Sequence, residues 1–195
     1  MLYLVRHGKT AYNAEGRLQG QSDIPLSREG RAQAEALAER IKNEGPRVQR
    51  IYCSRLSRAE ETARIIGRRL GLAPQVINGI EEIAFGCFEG HTFAECAELF
   101  PEAYADYLIH LAASNAHGGE TGRQVMERAR AALLKLPEAR DDSACALVVC
   151  HGAVIGYLRG AALGLPLTDV RELIPGNAEM IEFDEAAMER LKAYE

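Results

Sequence analysis

LYLVRHGKT, residues 2–10, is a short apolar run that stops at an arginine, a histidine and a glycine. Its length, and the glycine that follows, read residues 2–5 as a buried strand. The same device recurs twice. Residues 50–54 read as a second strand and lead into CSRLSRAEETA, where Ala59, Ala63, Ile66 and Leu70 share one helical face that Gly71 ends. Residues 145–150 are the most hydrophobic segment of the chain. They run into His151 and Gly152 and then into residues 152–163, apolar on nearly every side as a buried helix would be.

The segments between these junctions fill in the pattern. Ser27 can cap a helix with Ala34, Leu37, Ala38 and Ile41 at i, i+3, i+4 and i+7, with Gly45 and Pro46 as its stop. A strand is expected at 75–77, an amphipathic helix through Met126, Ala129, Leu133 and Leu136, and a further strand at 179–183. Residues 188–194 fit either state. Strands alternating with helices imply right-handed crossovers, so the expected class is α/β: a three-layer α/β/α sandwich with a mainly parallel sheet and helices on both faces. No repeat, low-complexity tract or linker divides the 195 residues, so one domain spanning 1–195 is expected.

Composition narrows the function classes. With 47% hydrophobic and 26% charged residues the chain is ordinary globular material. Its 23 Lys and Arg against 28 Asp and Glu give a net charge of -5, so it lacks the basic footprint of a nucleic-acid or acidic-lipid binder. An anionic ligand would need a local cluster. No run approaches the roughly 20 apolar residues of a membrane span, and the start MLYLVRHGKT lacks a signal peptide's apolar core, so a cytoplasmic protein with no membrane partner is expected. Five cysteines, Cys53, Cys87, Cys96, Cys145 and Cys150, form no CxxC pair and are odd in number, which reads as reduced, buried thiols.

In an open α/β sheet, ligands gather beyond the carboxyl ends of the strands. Those are the positions of Arg6, His7 and Gly8, of Arg55 and Arg58, and of His151 and Gly152, with Asn13, Arg17 and Gln19 in the loop after the first junction. One His beside a Gly is usually structural. Three separately encoded segments placing His7, Arg58 and His151 at one sheet edge make coincidence the poorer explanation. Two imidazoles and two guanidiniums near helix amino termini form an anion site, most simply for a phosphoryl group. A metal reading fails by comparison, because Arg6 and Arg58 would repel a cation and no metal-ligand spacing is present. A phosphoryl group beside a neutral imidazole invites nucleophilic catalysis, with a carboxylic acid to protonate the leaving oxygen. NGIEEIAFGCFEG supplies Glu81, Glu82 and Glu89, and spacing alone chooses neither among them nor against a solvated surface role.

LVRHGKT, SRLSRAEETA, EEIAFGCFEG and VVCHGAVIG together closely resemble the histidine phosphatase superfamily, the phosphoglycerate mutase-like enzymes, in order over nearly the whole chain. The resemblance implies His7 as the phosphorylated nucleophile, and Arg6, Arg58 and His151 around the phosphate, with Gly8 and Gly152 at the two histidine boxes. It further implies Asn13 and Gln19 as phosphoryl-binding residues and Glu82 as the proton donor. It implies no metal and no cofactor. It also implies that residues 81–118 form a lid, that GGET at 118–121 lies near the mouth of the site, and that Asn177 sits at a turn beneath it. Two departures stand out. Cys53 and Arg55 occupy positions where Ser, Pro or Asp is usual, and Phe88 stands where Trp or Tyr is common; Arg55 either adds charge to the pocket or points to solvent.

Between Arg69 and Arg123 there is no Lys or Arg, while eight carboxylates fall inside the window, Glu81, Glu82, Glu89, Glu95, Glu98, Glu102, Asp106 and Glu120. A phosphoglycerate mutase of this family grips a carboxylate and a second phosphate with cations from that stretch. Here His91, His110 and His117 could only do so weakly at neutral pH. Phe85, Phe88, Phe93, Phe100, Tyr104 and Tyr107 are available instead, either to contact a leaving group or to pack the lid. The expectation is a phosphatase acting on a small phosphomonoester with a neutral or partly aromatic remainder, α-ribazole phosphate being the named candidate. A phosphoglycerate mutase and a non-catalytic phosphate-binding module are the alternatives.

Overall fold

The computed structural model describes residues 1–110, 112–137 and 145–194. A five-stranded sheet runs in the order β3-β2-β4-β1-β5, with β1 Leu2–Arg6, β2 Arg50–Cys53, β3 Pro74–Val76, β4 Ala146–Cys150 and β5 Met180–Phe183. β1 pairs in parallel with β4, β4 with β2 and β2 with β3, while β5 closes the edge antiparallel to β1. The central strands are buried on both faces, and alternate residues divide between two cores. Val5, Ile51, Cys53, Leu147 and Val149 face Leu37, Ala38 and Ile41 of α2 (Arg28–Glu44) and Ala59, Ala63 and Ile66 of α3 (Ser57–Leu70). Leu2, Leu4, Ala146, Val148 and Cys150 face α6 (Gly122–Leu133), α7 (Gly152–Leu163) and α8 (Glu185–Ala193). These are the three layers of an α/β/α sandwich.

The capped helices follow their sequence signals. Ser27 accepts from the Gly30 N–H at the start of α2, and Gly71 ends α3 in the left-handed conformation. Nine of the twelve residues of α7 are buried. The structure differs in four places. A five-residue helix α1, Ala11–Glu15, occupies the polar loop after β1, where no apolar periodicity marks it; Thr10 and Asn13 form its capping box. Leu136 is buried but lies beyond the end of α6. Residues 188–193 belong to α8, with Tyr194 as its C-cap, and the helix docks on α7 through Met188 and Leu191. Of the cysteines, all five are free and Cys53, Cys96 and Cys150 are buried, but Cys87 is exposed. No helix among the described residues is long and apolar enough to cross a membrane.

Residues 81–118 contain α4 (Phe93–Leu99) and α5 (Pro101–His110). They are organised around Phe88, which is fully buried, with Phe100, Tyr104, Tyr107 and His117 at ring-centroid distances of 6.0, 6.3, 5.9 and 5.2 Å.

Candidate active site

The carboxyl ends of β1 and β4 are adjacent in register, Arg6 opposite Cys150, and the His7 N–H extends the ladder to the Cys150 carbonyl. The next residue on each chain segment is therefore brought to the same place. The His7 and His151 ring centroids are 5.2 Å apart. His7 is 1% exposed, His151 and Arg58 not at all.

Each group is held in a defined orientation. His7 Nδ1 lies 2.7 Å from the Gly8 carbonyl oxygen. A carbonyl only accepts, so Nδ1 carries the ring hydrogen and the lone pair is on Nε2. Burial, then the Arg58 charge, hold the His7 pKa well below its ordinary value; the Gly8 bond opposes them, and Arg6 adds to the lowering. Burial first and Arg58 second do the same to His151. Both imidazoles are neutral at physiological pH. His151 Nε2 is 2.9 Å from Ser54 Oγ, which itself accepts from the Leu56 N–H. This contact fixes the His151 ring through Nε2 and leaves Nδ1 without a protein partner.

Arg58 donates to the carbonyls of Ser22 and Gly20 at 2.8 and 2.7 Å, and Arg6 to that of Pro175 at 2.7 Å. Arg6 Nε and Arg58 Nε are buried donors, and His151 Nδ1 a buried ring nitrogen, with no protein partner. Such groups are costly unless a ligand satisfies them. Two amides add further donors. Asn13 Oδ1 accepts from the Thr10 N–H and from Asn177 Nδ2, and Gln19 Oε1 from Thr10 Oγ1, so each amide keeps its NH2 group available.

Next to this cluster lies a cavity of about 350 Å³ whose wall includes Arg6, Asn13, Gln19, Glu82 and Gly152. His7, Arg58 and His151 are not part of that lining; they are buried beside it. Of the three glutamates offered by the sequence, Glu82 alone reaches the cavity. Its Oε2 accepts from the Ala153 N–H in the first turn of α7 at 3.3 Å, and its Oε1 from the Ile83 N–H. Glu81 pairs with Arg55 at 3.1 Å and caps the Gly79 N–H. Glu89 accepts four hydrogen bonds, from the Gln21 N–H, the Ser22 N–H, Ser22 Oγ and the Phe85 N–H. Arg55 is 60% exposed at its side chain and outside the cavity wall, which settles its role as a surface partner of Glu81.

Further residues support the site, among them Thr62 and Arg128, which carry no signal in the sequence. Thr62 accepts from the Gly8 N–H and donates to the Arg58 carbonyl, tying the His7 loop to α3. Gly8 packs so tightly on the Gly30 carbonyl that a Cβ would collide with it. Arg128 of α6 donates to the carbonyls of Gly79, Glu81 and Glu82 while forming a two-pronged pair with Glu120. Burial alone would raise the Glu120 carboxyl, but the Arg128 bonds and the Ala84 N–H overcome it and lower its pKa. GGET therefore holds the Glu82 loop through Glu120, and none of its residues is part of the cavity wall. Asn177 does lie beneath the site, donating to the His7 carbonyl at 3.1 Å. Its neighbour Ala178 has φ of 54°, an unusual conformation for alanine, held by its N–H shared between the Arg6 and His7 carbonyls.

In the segment 81–118 the aromatic residues divide between the two roles open to them. Phe85, Phe93 and Tyr107 line the cavity; Phe88, Phe100 and Tyr104 do not, and neither do His91, His110 and His117. Cations do reach the cavity, but from outside that segment: Arg17 and Arg171 are part of its wall.

The model of the histidine phosphatase superfamily (branch 1) matches residues 2–190. A probable phosphoglycerate mutase of Salmonella paratyphi B is 34% identical over 187 residues, covering 94% of this chain and 84% of that protein. Among solved structures, a mycobacterial glucosyl-3-phosphoglycerate phosphatase superposes with a TM-score of 0.77 at 35% identity, over 92% of this chain and 88% of the other. A phosphoserine phosphatase variant from Entamoeba histolytica, in complex with phosphoserine, gives 0.79 at 30%, over 92% and 87%. The chain belongs to the histidine phosphatase superfamily.

Proposed function

We propose that this member of the histidine phosphatase superfamily hydrolyses small phosphomonoesters through a phosphohistidine on His7. The observation that carries the reading is the neutral buried imidazole with its lone pair on Nε2, set with two unpartnered donors, Arg6 Nε and Arg58 Nε, and the unpartnered His151 Nδ1. The phosphoryl oxygens take those donors together with the Asn13 and Gln19 amides. His7 Nε2 attacks phosphorus, the ester P–O bond breaks, and its electron pair leaves on the alkoxide, which takes the proton of Glu82. The Gly8 carbonyl, accepting from Nδ1–H, steadies the positive charge the ring acquires. A water then gives a proton to the Glu82 carboxylate as its oxygen attacks phosphorus; the P–N bond breaks, phosphate departs and His7 is regenerated. In-line placement and stabilisation of spread charge supply the rate, as phosphoryl transfer requires.

In this reading the chain is one domain, residues 81–118 cover the site, and no metal or cofactor takes part. The activities of the similar structures, hydrolysis of phosphoserine and of glucosyl-3-phosphoglycerate, support hydrolysis as the outcome. The test is a millisecond reaction with p-nitrophenyl phosphate, quenched without acid and analysed by mass spectrometry. A phosphoryl adduct on His7, lost together with all turnover in His7→Ala, is expected. Turnover with no adduct, or with the adduct elsewhere, overturns the mechanism, and no turnover of any ester favours a binding module. A panel including α-ribazole phosphate and 3-phosphoglycerate identifies the preferred ester, and 2-phosphoglycerate formed from the latter would mark a mutase.

A further inference from the structure

Arg17 and Arg171 both line the cavity, but only one is committed elsewhere. Arg17 is paired with Glu15 at 2.9 Å and Glu95 at 2.7 Å and also holds the Gly90 carbonyl. Its charge is neutralised within the protein. Arg171, by contrast, has no carboxylate within salt-bridge distance among the described residues; its guanidinium acts electrostatically on the Tyr107 phenol, itself on the cavity wall. Arg171 lines the cavity while remaining exposed, which puts it at the mouth.

Its backbone is anchored. The segment from Val170 to Pro175 lies along a stripe of glycines on α7. A Cβ on Gly156 would stand 3.0 Å from Ile174 Cγ1 and 3.1 Å from the Val170 carbonyl, and one on Gly160 would stand 2.7 Å from Val170 Cγ1. Arg159 of α7 donates to the Leu173 carbonyl at 2.6 Å, and Arg6, on the other side, to that of Pro175. One end of the segment is thus fixed by an arginine of the phosphate site and the whole of it by the helix that begins at His151. Of the other wall residues, Ile83, Leu167, Val170 and Ile174 are apolar and offer an anion nothing.

We infer that Arg171 recognises a carboxylate on the leaving group of the substrate, with Tyr107 positioning its guanidinium, so that the preferred ester carries a second anionic group a few bonds from its phosphate. This rests on the phosphatase reading above. It also reverses the expectation of a neutral leaving group, because the cation missing from residues 81–118 is supplied by the segment after α7. A planar guanidinium beside one phenol keeps N–H donors for a two-pronged grip on a carboxylate, a geometry that an ammonium cannot reproduce.

The test compares two esters of one skeleton, 3-phosphoglycerate and glycerol 3-phosphate, which differ in carboxylate against hydroxymethyl. The wild type is expected to favour 3-phosphoglycerate in kcat/KM by about tenfold, the usual size of a charge-assisted contact at a partly exposed site. In Arg171→Gln that ratio falls towards one, chiefly through KM for 3-phosphoglycerate, Arg171→Lys recovers part of it, and Tyr107→Phe raises the same KM with kcat held. A wild-type ratio near one, or a ratio unmoved by Arg171→Gln, overturns the assignment. Hydrolysis of p-nitrophenyl phosphate separates the two levels: turnover there without carboxylate preference sinks this inference alone, and no turnover of any ester sinks the phosphatase reading with it.

Discussion

Glu82 and Glu89 sit seven residues apart in one loop, yet they face opposite tasks. Glu89 is surrounded by four donors and pins the loop whose Gly20 and Ser22 carbonyls hold Arg58. Gly20 has φ of 54°, and a Cβ there would collide with the Glu89 carboxylate, so only glycine admits this contact. Glu82 receives two backbone N–H groups and keeps its carboxylate on the cavity. The difference teaches that a carboxylate enclosed by donors builds a site, while one left with capacity to spare can exchange a proton in it.

Kinetics should separate the two glutamates sharply. For Glu82→Gln, kcat on alkyl phosphates is expected to fall about 10²- to 10⁴-fold, the usual share of general acid catalysis, with a far smaller loss on p-nitrophenyl phosphate, whose leaving group needs no proton. Equal losses on both would assign Glu82 a different role. Glu89→Ala should behave in the opposite way. It orphans four donors and loosens the Arg58 anchor, so a stability loss of about 3 kcal/mol by urea titration is expected, with aryl and alkyl esters slowed alike. A leaving-group-dependent loss in that variant would mean that the two residues had been assigned the wrong way round.

The smallest effect concerns the histidines that both glutamates serve. His7 and His151 bind a proton less readily folded than unfolded, so the unfolded chain takes up more protons as pH falls. Their contribution to stability is complete above about pH 6.5, their ordinary value, and is lost progressively below it. Thermal midpoints measured in phosphate-free buffers should therefore drop between pH 6.5 and 5, and the slope should flatten in His7→Gln. A midpoint constant over that range would mean that these rings are not buried in their neutral form.

The strand-end junctions were legible because they rest on local signals. Apolar runs of strand length, each followed by a polar group and a helix start, place His7, Arg58 and His151 on one edge whatever the rest of the chain does. Residues 81–118 have no comparable signal. There the question is which side chains of a long, broken stretch turn inward, and the packing around Phe88 answers it: Phe100 and Tyr104 pack in that cluster, while Phe85 and Phe93 reach the cavity. Tyr107 belongs to both.

By itself the sequence determined the α/β class, the two histidine boxes, the guanidiniums beside them and the absence of a cation between Arg69 and Arg123. Tertiary structure brought Glu82, which the resemblance implied and spacing could not choose, to the cavity rather than Glu81 or Glu89, and it alone decided that Arg128 and Thr62 brace the site and that Arg171 supplies a cation from a remote segment. The physical reason is range. Periodicity and caps act over a few residues and are written locally, whereas the partner of a carboxylate or guanidinium is chosen by chain segments that only folding brings within hydrogen-bonding distance.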